Sequence, residues 1–521
     1  MLFLKIIQGE NKMKKRIIGI ENEYRIQALP GFDKSRYKVY FRGLKISLNQ
    51  FLSNGARFYL DFPSELPEYC TPEVTTIREV LAHERAGDYI VWESLKDMME
   101  IFRRNTSQPG LFYKYLASGC HENYLFYLDE AIKSTANIYP QMSGHILARL
   151  VAFLGPFLVS RQIFCGAGWW LTNEDGRSYF NISQRAHFMK RDYGGDTMQN
   201  RAIINSRNES LCSSSNYSRL HLIVGDSNMS DLSGFLKLGT TSIVLRMIEA
   251  GFFDPQDIVL VDPVAAIAVI SDDLSCKATV QAGGLHRSLS AIDIQEWYLN
   301  KAREFFECRE VSEEEKEVIK YWQEVLDKLR RDPMLLKEEI DWVIKYNLIC
   351  RYAEKHGVDL DHCSDEESEA LRVIDTHYHS LNPERGLYHK LLGAGKIAKL
   401  ISDKEVALAI KSPPTDTRAK VRGDFISFIL KNHADLVRYF IVNWDAIRYN
   451  YRANGFSRLI HEFQPNQDDE SVKACVFNLG DPFLSTETCN NFQVLVEEIE
   501  SHQEFFKSMI PTPSPDHRDY E

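Results

Sequence analysis

The period of apolar and polar positions changes several times along the chain. Residues 57–62, RFYLDF, alternate strictly, with Phe58, Leu60 and Phe62 on one face of a strand and Arg57, Tyr59 and Asp61 on the other. The same alternation predicts a strand over 16–26 (RIIGIENEYRI), where Glu21 and Glu23 share a face. Another strand is predicted over 116–128, with His121 and Asn123 on one face and Glu122 and Tyr124 on the other. Three more, over 180–188, 201–207 and 219–226, group Ser183 with Arg185 and His187, Arg201 with Asn205 and Arg207, and Arg219 with His221. One such strand taken alone reads as a solvated face. A set rich in Arg, His, Asp and Glu is better explained as the wall of a single cavity.

Elsewhere the period lengthens to that of a helix. The segments TIREVLAHERAGDYIVWESLKDMMEIFRR and MSGHILARLVAFLGPFLVSRQ, residues 232–252 and most of 290–356 predict helices packed behind the sheet. DLDHCSDEESEAL reads as an acidic loop or helix cap, and the turn KSPPTDTR (411–418) as a boundary. The expected organisation is an N-terminal extension (1–15), a main domain (16–410), a small C-terminal domain (411–505) and a flexible proline-bearing tail (506–521). A length of 521 residues, more than one core usually serves, agrees with several domains.

Charge and cysteine usage narrow the class. A net charge of −11 argues against a general nucleic-acid binder, and no apolar run is long enough to span a membrane, so neither partner is expected. The ten cysteines include no CxxC pair, which argues against a zinc site or a disulfide framework and for a reducing cytoplasm.

Glu21, Tyr59 and Glu68, with Glu23 beside them, offer the hard oxygen donors that magnesium takes when it bridges carboxylates to phosphate. Arg57 would suit a phosphate, and Asp61 a general base. Residue types alone describe a surface ion-pair network better than a site. CGAGWW (165–170) lacks the GxxxxGK[ST] phosphate loop and reads as a turn. His377 and His379 stand at strand spacing with no third ligand, and read as a core or surface pair. Arg418, Lys420 and Arg422 alternate like an anion-facing or a solvated strand.

Taken together, the blocks GIENEY, NGARFYLD, PEYCTPE, CHENYL, SQRAHF, RAIINSRNE, RLHLIVGDSNMS, PERGLYH, TRAKVRGDFI, VNW and DPF run from about residue 16 to 485 in one order. In that order the chain resembles the family of Pup ligases (proteasome accessory factor A) and Pup deamidases or depupylases, bacterial carboxylate-amine ligases. The resemblance implies an α+β, glutamine synthetase-like fold: an antiparallel sheet lining the active-site cavity, helices behind it and a small C-terminal domain. It also implies a reaction that uses ATP and Mg2+ to join the C-terminal glutamate of Pup, or a Pup-like protein, to lysines of protein substrates.

By the same resemblance Glu21, Tyr59 and Glu68 match metal-site residues, with Glu23 adjacent. Asp61 matches the catalytic aspartate and His121 an active-site histidine. Arg57, Thr71 and Trp444 match nucleotide contacts, and Arg185, Arg207 and Arg219 would face phosphates or the tag's glutamate by position. Only residues 25–53 separate Tyr24 from Asn54, too few for the long loop of the depupylase branch, which favours the ligase. Hydrolysis of the same bond, ligation of small molecules and a non-catalytic binding module remain as alternatives. FPSELPE before and at Glu68, and NESLCSS at 208–214, depart from the family pattern.

Overall fold

The computed structural model describes residues 15–27, 51–61, 66–105, 111–113, 119–127, 143–173, 175–197, 199–205, 217–253, 258–283, 288–434, 440–449, 476–484 and 492–501. The expected extension (but for Lys15), the tail, most of the 27–53 connection, the departure at 208–214 and Arg207 lie outside the described residues.

Seven strands make the central sheet: β1 (Ile18–Glu23), β2 (Arg57–Leu60), β3 (Pro67–Cys70), β4 (Cys120–Tyr127), β5 (Arg191–Gly194), β6 (Ala202–Asn205) and β7 (Tyr217–Leu222). Their order is β2-β3-β1-β4-β7-β6-β5, antiparallel throughout except for the parallel β5–β6 pair. Residues directly opposite in a ladder share a face, so register decides what meets. Glu21 lies opposite Cys70 on one side and His121 on the other. Glu23 lies opposite Glu68, which also faces Tyr59, and His221 lies opposite both Asn123 and Asn205. One face therefore gathers Glu21, Glu23, Tyr59, Glu68, His121, Asn123, Asn205 and His221.

The other face is greasy. Ile18, Ile20, Tyr124, Phe126, Leu220 and Leu222 enter one large core together with the helices behind. These include α1 (Ile77–Asn105), α2 (Ser143–Ser160), α3 (Asp231–Glu249), α4 (Ala291–Phe306), α5 (Glu313–Arg331), α6 (Asp341–His356) and α7 (Asp365–Tyr378). Helix α5 shows why the sequence folds this way. Ser312 and Glu315 close a capping box, acids fill the first turn and Lys328, Arg330 and Arg331 the last, which complements the helix dipole. Its Val318, Trp322, Val325 and Leu329 recur at helical spacing and are buried. A fully buried ion pair pins α2 to the sheet: Arg161 meets Glu122 at 2.5 Å, and Tyr124 donates to the same carboxylate at 2.7 Å.

Helix α8 (Arg418–Asn432) and a three-stranded sheet of β8 (Phe440–Val442), β9 (Ala446–Tyr449) and β10 (Val476–Asn478) form the C-terminal part. They share a second apolar cluster, with Phe425, Ile429, Val442 and Leu479, which also takes in Phe51 from before β2. Among the described residues no helix is long and apolar enough to cross a membrane.

Three segments differ from the sequence reading. His377 lies in the last turn of helix α7, launched by the Ser364–Glu367 capping box, and the buried His379 follows the helix, 2.7 Å from the Lys345 ammonium. Arg418, Lys420 and Arg422 open a helix: an alternating triplet also contains an i, i+4 pair, and that pair is what the fold uses. The strand expected over 180–188 covers only Ser178–Asn181. Beyond it the amides of Gln184 and Arg185 donate to the buried Asp226 carboxylate, which replaces the ladder.

Candidate active site

The polar face carries two ligand-bearing groups side by side. In the first, carboxylate oxygens of Glu23, Asp61 and Glu68 all lie within 4.8 Å of one another. Tyr59 donates to Glu68 at 2.6 Å, the Cys70 thiol sits 3.2 Å from the same oxygen, and the Gly119 amide donates to Glu23 at 2.8 Å. A side chain at Gly119 would crowd the group: a Cβ would lie 2.4 Å from His121 Nε2 and 3.0 Å from Glu23 Oε1. In the second, Glu21, His121 and His221 converge within the same span. Glu21 faces His121 Nδ1 at 3.2 Å and Arg219 at 3.8 Å, and accepts from Asn123 at 2.9 Å. Asn123 Oδ1 is in turn 2.9 Å from His221 Nδ1.

The two glutamates are driven in opposite directions. Burial would raise the Glu21 carboxyl, but the hydrogen bond with His121 and the charges of His221, His121 and Arg219 hold it well below the usual carboxylate range. Burial and then the charge of Glu21 push Glu68 well above that range, with Glu23 adding to the rise. Burial, with Cys70 and Glu68 alongside, keeps the Tyr59 phenol protonated far beyond its ordinary range. Packed carboxylates of this kind offer only hard oxygen donors, and a divalent cation would relieve their mutual repulsion. The donor set of Glu23, Asp61 and Glu68 therefore fits magnesium. The oxygen-and-imidazole set around Glu21 fits it less well.

Beside these groups lies an open cavity lined by Glu21, Thr71, Arg219, Arg418, Trp444 and neighbours, so that it spans the sheet and the C-terminal part. The Thr71 hydroxyl accepts from the Ile20 amide at 2.9 Å, which fixes the turn leaving β3 at the cavity wall. The Arg57 guanidinium stacks 4.1 Å from the centre of the Tyr59 ring, on the polar side of β2.

Of the expected site residues, Glu21, Glu23, Tyr59, Asp61, Glu68 and His121 meet on one face, with Thr71, Arg219 and Trp444 around the adjoining cavity. The expected metal set is rearranged: Asp61 joins Glu23 and Glu68, whereas Glu21 turns to the histidines and Tyr59 donates a proton to Glu68. Arg185 is buried, and the charges of Glu23 and His121 act on it. Asn123 and His221 were placed on the polar face by alternation but given no role, and Cys70 was not singled out. The signal for their part in the site is register, since each lies opposite or beside an expected site residue.

A family model described as "Pup-ligase protein" matches residues 6–448. A Pup--protein ligase of Nocardioides sp. is 37% identical over 466 residues, covering 85% of this chain and 95% of the relative. A Pup--protein ligase of Kribbella flavida is 36% identical at the same coverage. A depupylase of Acidothermus cellulolyticus is 35% identical, covering 77% of this chain and 75% of its own length. The fold matches the crystal structure of the ligase PafA in complex with the prokaryotic ubiquitin-like protein Pup, with a TM-score of 0.75, 28% identity and coverage of 97% and 98% of the two chains. It also matches PafA in complex with ADP, with a TM-score of 0.68, 26% identity and coverage of 91% and 96%. A model spanning most of the chain and relatives this similar over nearly their whole length make the chain a member of the Pup ligase family.

Proposed function

We propose that this protein is an ATP-dependent ligase that joins the side-chain carboxylate of a C-terminal glutamate, borne by Pup or a Pup-like tag, to lysine amines of other proteins. The observation that carries this reading is the carboxylate-lined face of the sheet running into a cavity that Thr71, Arg219 and Trp444 also line. Glu23 and Glu68, with Glu21 beside them, would hold Mg2+, and Asp61, in the same cluster, would act as the base. When bound, the ion supplies neutralisation of phosphate charge.

A carboxylate is a poor electrophile, and phosphorylation by ATP gives it a leaving group. Arg57 and Arg219 offer cationic donors to the phosphates. The substrate lysine arrives protonated, with only about one molecule in a few thousand neutral at pH 7. Asp61 draws in the ammonium and takes its proton, after which the amine attacks the acyl phosphate and releases phosphate. His121 holds Glu21 in its charged form. The segment 411–505 acts as a small domain that closes over the nucleotide through Trp444. A reducing, cytoplasmic setting agrees with the seven described cysteines that are free.

The similarity to a depupylase favours one second reading, hydrolysis of the same isopeptide bond. The short stretch between Tyr24 and Asn54 and the higher coverage by ligases favour ligation. Asp61→Asn tests the assignment. The variant is expected to bind ADP within about twofold of the wild type and to lose conjugation by at least about a hundredfold. Conjugation at the normal rate would remove Asp61 from the mechanism.

A further inference from the structure

Arg422 lies deep between the C-terminal part and the sheet and is fully buried. Its guanidinium touches three separate segments. Nε and one terminal nitrogen donate to the Gly55 carbonyl at 3.2 and 2.9 Å. The same terminal nitrogen donates to Glu73 Oε2, and the other nitrogen reaches Glu73 Oε1 at 3.4 Å and the Trp444 carbonyl at 3.3 Å. The guanidinium carbon also stands 4.8 Å from the centre of the Trp444 ring.

Each partner sits at or two residues from a residue of the candidate nucleotide site. Gly55 precedes Arg57 by two, Glu73 follows Thr71 by two, and Trp444 is itself a wall of the cavity. Glu73 is held from its other side by Arg418 at 2.8 Å, and Arg418 also donates to the Leu479 carbonyl at 3.1 Å. This arrangement uses every face of a planar, five-donor fork, which a lysine cannot reproduce.

We infer that Arg422 is a positioning residue for the nucleotide: by tying the Gly55 turn, Glu73 and Trp444 together it sets Arg57, Thr71 and the Trp444 ring around one pocket. It does not reach the cavity wall itself and acts through these neighbours. The inference rests on the nucleotide reading given above.

The test compares wild type, Arg422→Lys, Trp444→Phe and the double variant by ADP calorimetry, and by ATP KM and kcat for conjugation. Circular dichroism establishes that each is folded. Arg422→Lys is expected to weaken ADP binding and raise ATP KM by about tenfold, with kcat within about twofold. The double variant is expected to bind ADP as weakly as the worse single variant, because one change acts through the other. Unchanged ADP affinity in folded Arg422→Lys, or losses that multiply in the double variant, would overturn the inference. If Arg422→Lys does not fold, Glu73→Gln is judged by the same two criteria. A wild type that binds no ADP would overturn the nucleotide reading, and the inference with it.

Discussion

At the residue scale the site is governed by how many charges converge and what each is offered as a partner. Asp61 is the sharpest case, because its carboxylate belongs to the oxygen cluster and also has the chemistry of a base. The two roles separate by magnesium dependence. If Asp61 acts as the base, Asp61→Asn lowers kcat and leaves the half-saturating Mg2+ concentration within about twofold. A ligand role alone would shift that concentration by tenfold or more.

His83 gives a prediction away from the chemistry. It lies on α1, 4% exposed, and burial pushes its imidazole down to about 3. The folded state therefore keeps His83 neutral while the unfolded chain takes up a proton near pH 6.5. Its contribution is complete above about pH 6.5 and is lost as the pH falls from there towards 3, at up to about 1.4 kcal/mol per pH unit. Thermal unfolding followed from pH 7 to 5 should show a shallower acid loss for His83→Gln than for the wild type. Equal slopes would mean that His83 gains a proton in the folded state.

At the element scale the alternating strands were legible because their period is 2 and their back faces are apolar. Strands β1, β2, β4 and β7 lie where RIIGIENEYRI, RFYLDF, CHENYL and RLHL placed them. Segments whose backbone is satisfied by side chains were not legible, such as the run through Gln184 and Arg185 that Asp226 holds. Nor was TRAKVRG, where the five alternating residues from Arg418 to Arg422 cannot distinguish a strand from the first turn of a helix.

The NGAR turn illustrates what the motif does structurally. Gly55 has φ +80°, and a Cβ there would lie 3.0 Å from the Ala419 carbonyl oxygen of α8. Gly55→Ala is expected to lose about 1–3 kcal/mol and to weaken nucleotide binding together with stability, measured by denaturant unfolding and ADP titration. Behind the sheet, Glu122→Gln leaves the buried Arg161 charge without its counter-ion and is expected to cost about 3–5 kcal/mol, although neither residue faces the cavity. A loss below about 1 kcal/mol would mean that Thr241 and the Lys237 carbonyl, which also accept from Arg161, suffice to hold it.

At the scale of the whole molecule one seven-stranded sheet separates a greasy helical half from a polar chamber, and the C-terminal part adjoins the chamber at Arg418 and Trp444. The sequence blocks foretold the family and which residues meet. They did not foretell that the carboxylates would divide into two groups, because that depends on side chains reaching across five strands. The measurement that bears most directly on the function is intact-mass spectrometry of a lysine-bearing acceptor. The acceptor is incubated with this protein, Mg2+, ATP and a Pup-like tag ending in glutamate. The expected result is an adduct of tag mass minus one water that forms only with ATP and is absent with Asp61→Asn. No adduct, together with release of the tag from a preformed conjugate, would contradict ligation and assign the site to hydrolysis.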